Sequence, residues 1–380
     1  MTATSSADVS DLPTPALLLD LDVLETNLER MQRRSEALSV RLRPHMKTHK
    51  CLEVGRLQRA LGASGITVST LEEAWAFAED GFDDITWAFP LNPSRIPEIQ
   101  RLRATTDLAV TIDSEMALDA LRAVGDGIGV WLEVDCGYGR TGVDPAEPRS
   151  VELARRIAEA PGLSFRGCLT HAGHAYHADS PAQIASIAEE ERRVMVDFGA
   201  RLRAAGVECS TLSVGSTPGM SLVRSLSGIH EARPGNYALF DYAQTRLGAC
   251  ETTDCAVSVL STVVSSRPDR HRSVSDAGAL VMSKDLGPDD PPHFGRLLVG
   301  LSGHELDSDA RIVSVSQEHA TISSPLAPGS RIRVLPNHSC LTVAQFDHFT
   351  VVRGETVVDR WRILRQRGPR EGVWPTRPVA

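Results

Sequence analysis

The sequence predicts a (β/α)8 barrel of the TIM type followed by a C-terminal all-β domain, and three observations lead there. From Leu17 to about residue 245, short apolar runs alternate with longer amphipathic stretches, as in a parallel sheet with crossover helices. Eight such runs fall within about 230 residues, which matches a closed barrel better than an open sheet. After Gly248 the helical periodicity gives way to β-rich runs separated by Pro/Gly turns.

The expected barrel strands are Ser39 to Met46, Gly65 to Thr70, Asp84 to Phe89, Leu108 to Asp113, Ile128 to Asp135, Phe165 to His171, Thr211 to Gly215 and Arg233 to Leu239. Between them, segments such as Val23 to Leu38, Leu71 to Asp80 and Ile184 to Ala205 repeat apolar residues at three- and four-residue spacing, the signature of helices. In the second domain the expected strands are Ala256 to Val264, Ser273 to Val281, Arg296 to Leu301, Arg311 to Val315 and Thr350 to Val358. This divides the chain into an N-terminal segment (1–15), a barrel (16–248) and a β domain (249–380), with no internal repeat, low-complexity tract or long linker.

The 380 residues are 42% hydrophobic and 23% charged, enough to build a substantial core and unlike disordered or fibrous chains. The net charge is −9 and no Lys/Arg block occurs, so a nucleic-acid partner is not expected. No apolar run approaches the roughly 20 residues needed to span a bilayer, and Met1 to Ser10 lacks both a basic flank and an apolar core. The expectation is a cytoplasmic protein with no membrane partner. Seven scattered cysteines without a C-x-x-C pair read as reduced thiols.

Five stretches carry candidate chemistry. Arg41-Leu42-Arg43-Pro44-His45-Met46-Lys47-Thr48-His49-Lys50 ends the first barrel strand. Alternation turns Arg41, Arg43, His45 and Lys47 toward the lumen, with His45 and Lys47 at the C-terminal mouth where such barrels place their active sites. A lysine crowded by cations and partly desolvated loses ammonium pKa and is suited to forming a Schiff base; a solvated basic strand end would read the same way. Ser213-Val214-Gly215-Ser216-Thr217-Pro218-Gly219 and Arg233-Pro234-Gly235-Asn236-Tyr237 follow the seventh strand and open the eighth, where these barrels commonly hold phosphate. Glycines let backbone N–H groups approach an anion, and Ser216 and Thr217 add hydroxyl donors.

Gly137-Tyr138-Gly139-Arg140-Thr141-Gly142 has the spacing G-x-G-x-x-G, but turn-like residues follow it where a dinucleotide site needs a helix. What remains is a loop presenting Arg140, a permanent cation. His171-Ala172-Gly173-His174-Ala175-Tyr176-His177 ends the sixth strand; its three histidines lack a carboxylate or thiolate at metal spacing, and the stretch can line a pocket. In the β domain, besides Ser316-Gln317-Glu318-His319, Pro336-Asn337-His338-Ser339-Cys340 sets an imidazole and a thiol two residues apart. In an extended segment both leave one face and could grip one Zn2+, while a buried cysteine beside a histidine is the plainer reading.

Together, and in this order along nearly the whole chain from Pro13-Thr14-Pro15-Ala16-Leu17-Leu18-Leu19-Asp20 onward, these motifs resemble the D-serine dehydratase and D-threonine aldolase family. The resemblance implies a pyridoxal 5'-phosphate (PLP) enzyme of fold type III, with an alanine-racemase-like barrel and a trailing β domain. It implies that Lys47 bears the cofactor, with His45, Arg140, His171, Tyr176, Ser216, Thr217, Gly235, Asn236 and Tyr237 around it. Ser216, Thr217, Gly235 and Asn236 would contact its phosphate, Arg140 would face the pyridine nitrogen, and Tyr176 and Tyr237 would lie near the ring. His338 and Cys340 resemble the zinc pair of the dehydratase branch, where aldolases place histidine followed by aspartate. Two departures from the family pattern are Leu341-Thr342 where Pro-Thr is common and Ala320 where glycine is usual.

The implied reaction removes water from a D-3-hydroxy amino acid such as D-serine, giving a 2-oxo acid and ammonia in a homodimer whose partner β domain covers the barrel mouth. The D configuration follows from the resemblance alone. Alternatives are a metal-activated aldolase giving glycine and an aldehyde, a non-catalytic PLP-binding protein, and a metal-dependent hydrolase barrel using the 12 histidines. The residues after Gly248 count against the second, because single-barrel PLP-binding proteins lack a β domain.

Overall fold

The computed structural model describes residues 7–122 and 127–365. They form two compact units: one is Gln32–Lys47 with Gly55–Gly235, the other Thr48–Val54 with Asn236–Arg365 and the described residues through Met31.

The first strand, β1 (Ala16–Asp20), belongs to the second unit. The first unit is built on β2 (Arg41–Leu42), β3 (Ile66–Val68), β4 (Asp84–Pro90), β5 (Asp107–Ile112), β6 (Ile128–Glu133), β7 (Leu163–Leu169), β8 (Leu212–Val214) and β9 (Glu231–Ala232). These eight run parallel in the order β2-β9-β8-β7-β6-β5-β4-β3. The sheet closes where a parallel bridge joins His45 to Thr67, with Met46 N–H donating to Thr67 O at 2.8 Å and Thr67 N–H to Pro44 O at 2.9 Å. Strands such as β6 are buried along their whole length, which explains their continuous apolar runs.

The helices between them follow the expected periodicity. The helix Pro181–Ala204 starts on Ser180, whose hydroxyl accepts from Gln183 N–H at 3.2 Å, and has proline in its first turn. Its buried stripe runs through Ile184, Ala188, Glu191, Met195, Phe198 and Leu202, at alternating four- and three-residue steps.

The second unit contains β10 (Val257–Arg267), β11 (Arg272–Ser275), β12 (Arg296–Leu298), β13 (Leu306–Val315), β14 (Ala320–Ile322), β15 (Arg331–Leu335), β16 (His348–Arg353) and β17 (Thr356–Arg362). Its order is β11-β14-β13-β12-β15-β10-β1-β16-β17, and a further β10–β11 pairing closes six strands into an antiparallel barrel. β1 pairs antiparallel with β10 and parallel with β16.

Several segments differ from expectation for local reasons. β2 is short because Pro44 has no N–H to donate, although extended pairing continues to Met46. The eighth barrel strand is Glu231–Ala232; Pro234-Gly235 ends it and Asn236–Ala238 forms a 3-10 turn. Ser273 to Val281 holds strand only to Ser275, then a short helix Ala279–Met282. Thr350 to Val358 is two strands of a hairpin turning at Gly354, whose φ is +59°. No helix among the described residues is long and apolar enough to cross a membrane.

Candidate active site

In the barrel unit, the expected residues gather at the C-terminal ends of the strands. Lys47 follows the His45–Thr67 closure in a turn, its side chain exposed, and its backbone N–H donates to His45 Nδ1 at 3.4 Å. His45 is buried, with Nε2 3.5 Å from Ser69 Oγ. Arg43, expected to line the lumen with them, is consumed by a buried ion-pair network: its Nε meets Glu231 Oε2 at 2.7 Å and its other nitrogens meet both Asp84 oxygens at 2.7 Å.

The loop after β7 presents His171, whose Nδ1 lies 2.8 Å from Gly215 O and takes the donor role there. Burial, then the charges of Lys47, Arg140 and Arg233, push the His171 pKa down to about 3, so this imidazole is neutral across ordinary pH. Tyr176 lies with its ring centroid 6.2 Å from that of His171, and its hydroxyl accepts from Thr217 N–H at 3.4 Å. Arg140 is exposed and sits over the Tyr138 ring at 5.2 Å. Ser216 and Thr217 are buried, and the Ser216 hydroxyl accepts from Gly219 N–H at 3.1 Å. Gly215 has φ +146°, and a Cβ there would stand 2.5 Å from Arg233 N, so only glycine lets the loop lie this close to the β9 exit. Gly235 is buried at the end of this unit.

The remaining expected residues lie in the second unit. Tyr237 is 1% exposed. Asn236 donates through Nδ2 to Asp241 Oδ2 at 2.8 Å and Ser339 Oγ at 2.9 Å, while its Oδ1 is buried without a hydrogen-bond partner. His338 and Cys340 do not leave an extended segment as expected: His338 is extended, but Cys340 sits in the first turn of the helix Ser339–Val343. The two side chains still meet. His338 Nδ1 lies 2.8 Å from Asp285 Oδ2, and Cys340 Sγ lies 3.3 Å from Thr48 Oγ1, in the residue that follows Lys47. Burial opposes charge on both, yet Asp285 and Cys340 raise the His338 pKa, and His338 with Thr48 lowers that of Cys340.

Sequence reading missed Asp285, Asp241 and Thr48. Asp241 accepts from Ser339 N–H at 2.9 Å and Ser339 Oγ at 3.1 Å, and through its other oxygen caps Gln244 N–H at 3.1 Å, fixing the start of the Cys340 helix. Its position before Tyr242 carries an N-cap signal, whereas Asp285 carries none.

These residues fit a phosphate-bearing aldehyde cofactor and a soft divalent metal. A lysine amine, a neutral imidazole and a glycine-tight loop with two hydroxyls suit the first. For the second, Asp285 engages His338 Nδ1, which leaves Nε2 as the ring nitrogen suited to a metal, beside a Cys340 thiol whose pKa is lowered by His338 and Thr48. Among the described residues no cluster of three or more His, Cys, Asp or Glu that could hold a metal occurs.

Comparison with known proteins agrees with this architecture. The alanine racemase N-terminal domain profile matches residues 19–243, and a serine dehydratase domain profile matches residues 256–352. The chain is 38% identical to a D-threo-3-hydroxyaspartate dehydratase of Delftia sp. strain HT23, over 93% of this chain and 97% of that one. It is 35% identical to a D-serine dehydratase of Dictyostelium discoideum (92% and 96% covered) and 31% identical to a D-threonine aldolase of Arthrobacter sp. (92% and 92%). A solved D-threo-3-hydroxyaspartate dehydratase, a cysteine-to-alanine mutant in its metal-free form, superposes with a TM-score of 0.90 at 36% identity, covering 95% of this chain and all of that one.

Proposed function

The chain belongs to the D-serine dehydratase and D-threonine aldolase family of PLP-dependent lyases, and from that premise we propose that it removes water from a D-3-hydroxy amino acid with the help of zinc, releasing a 2-oxo acid and ammonia. The observation that carries the dehydratase outcome is the His338–Cys340 pair, with the imidazole oriented by Asp285 and the thiol biased toward thiolate. The metal-free form of a relative's cysteine-to-alanine mutant supports a metal role for a cysteine in this family.

When bound, PLP supplies an electron sink at Cα and zinc supplies a Lewis acid at the β-hydroxyl. Lys47 would hold the cofactor through Nζ, and its amine would serve as the base that takes the α-proton. Ser216, Thr217, Gly235 and Asn236 would hold the phosphate end, Arg140 would supply a cation for the pyridine nitrogen, and His45, His171, Tyr176 and Tyr237 would confine the ring. His338 Nε2 and Cys340 Sγ would hold the metal. The α-proton taken by Lys47 and the substrate's β-hydroxyl would together leave as water, and uptake of one water would then give the 2-oxo acid and ammonia. The enzyme is further proposed to work as a cytoplasmic homodimer.

Dialysis against EDTA tests the metal assignment. Ammonia release from D-serine falls at least about tenfold and returns with zinc, while the visible cofactor band persists because Lys47 does not depend on the metal. Ammonia release indifferent both to chelator and to Cys340→Ala would make His338 and Cys340 structural.

A further inference from the structure

The buried stripe of the helix Pro181–Ala204 is apolar except at one position, Glu191, which is 3% exposed. Its neighbours Glu189 and Glu190 behave as surface acids, pairing with Arg192 and Arg193. Glu191 instead points inward, where its Oε1 accepts from Ala172 N–H at 3.1 Å and from Gly215 N–H at 3.3 Å. Ala172 follows His171, and Gly215 precedes Ser216 and Thr217. The carbonyl of the same Gly215 accepts from His171 Nδ1 at 2.8 Å. Glu191, Ala172, His171 and Gly215 thus close a ring of three hydrogen bonds and one peptide link between the loops after β7 and β8.

We propose that Glu191 is a positioning residue for the cofactor: its carboxyl oxygen ties the His171 loop to the Gly215-Ser216-Thr217 loop, so that the phosphate end and the ring are received in one fixed register. This rests on the reading of those loops as the cofactor's seat.

Placing a carboxyl inside an apolar stripe costs several kcal/mol unless it is compensated, and an aliphatic residue would fill the stripe without that cost. The compensation here is two backbone N–H groups, both at the loops in question. Burial pushes the Glu191 pKa up to about 7 despite those two bonds, but a carboxyl oxygen accepts hydrogen bonds in either protonation state, and a glutamine Oε1 can do the same.

The test uses full-length apoprotein titrated with PLP and with pyridoxal, reading the visible band each forms with Lys47. The ratio of the two dissociation constants isolates what the phosphate contributes. We expect Glu191→Ala, folded by circular dichroism, to reduce that ratio about tenfold, the scale of one to two hydrogen bonds. Glu191→Gln should stay within about threefold of wild type. Glu191→Met, which fills the stripe with an unbranched apolar side chain, should match Glu191→Ala and serves if the smaller side chain prevents folding. An unchanged ratio in the alanine and methionine variants, with both affinities falling in parallel or neither falling, would show that Glu191 serves only the fold. A glutamine variant as impaired as the alanine one would overturn the acceptor role. A wild-type ratio near one would overturn the reading of the phosphate loop, and the proposal with it.

Discussion

His171 and Glu191 share one hydrogen-bonded ring, yet their titrations move stability in opposite directions. The His171 pKa falls from 6.5 to about 3 on folding, so between those values the unfolded chain binds a proton the native state refuses, and stability declines as pH drops. The Glu191 pKa rises from 4.5 to about 7, so in that window the native state holds a proton the unfolded chain has released, and stability declines as pH rises. Arg233 faces this carboxyl and moderates the shift, and Cys136 lies within its electrostatic reach. Replacing Glu191 with glutamine removes that titration, so the variant should gain melting temperature relative to wild type as pH goes from 5 toward 7; a difference flat with pH would contradict the buried, proton-holding carboxyl. At the proposed catalytic lysine, Lys47→Ala should abolish turnover, and borohydride should fix the cofactor on Lys47 in the wild type. Labelling at Lys50 would reassign the lysine. The candidates that sequence could single out sit in compact motifs, such as Lys47 at the end of the first barrel strand and Cys340 two residues after His338. Asp285 and Glu191 escaped because each is one acid whose partner lies at least 19 residues away in sequence, and no spacing within a segment reports such a contact; Asp241 carries a local cap signal toward Gln244, but its bond to Ser339 spans 98 residues.

The elements respond to changes in backbone fit. On β7, Gly167 has φ +125°, and a Cβ there would stand 2.0 Å from Thr211 O on the neighbouring chain entering β8. Gly167→Ala should therefore destabilise the protein by about 3 kcal/mol, measured by denaturant unfolding, through overpacking together with a strained conformation. Ser180→Ala, which removes the cap of the Pro181–Ala204 helix, should cost about 1 kcal/mol. Most barrel strands were readable because a doubly covered parallel strand is apolar on both faces. The eighth was displaced because Arg233 to Leu239 contains apolar residues that are buried as a turn, beyond the break at Pro234-Gly235. β1 was not identified as a strand of the C-terminal sheet for a different reason: an apolar pattern is a property of one segment, while sheet membership depends on a partner, here β10 and β16, more than 230 residues away.

At the scale of the molecule, the sequence changes from helical spacing to β-rich runs near residue 248, whereas contacts group the described residues through Met31, Thr48–Val54 and the segment from Asn236 with the C-terminal sheet. The proposed homodimer should sediment at twice the monomer mass at assay concentration, and an active monomer would contradict it. Cys340→Ala should abolish zinc retention and reduce ammonia release by about 10- to 100-fold while leaving the cofactor band in place. Purified enzyme with zinc, given D-serine, D-threonine and D-3-hydroxyaspartate separately, should release ammonia and the matching 2-oxo acid in equal amounts from at least one of them; glycine and an aldehyde in place of ammonia would show that the metal drives Cα–Cβ cleavage instead and would contradict the dehydratase account.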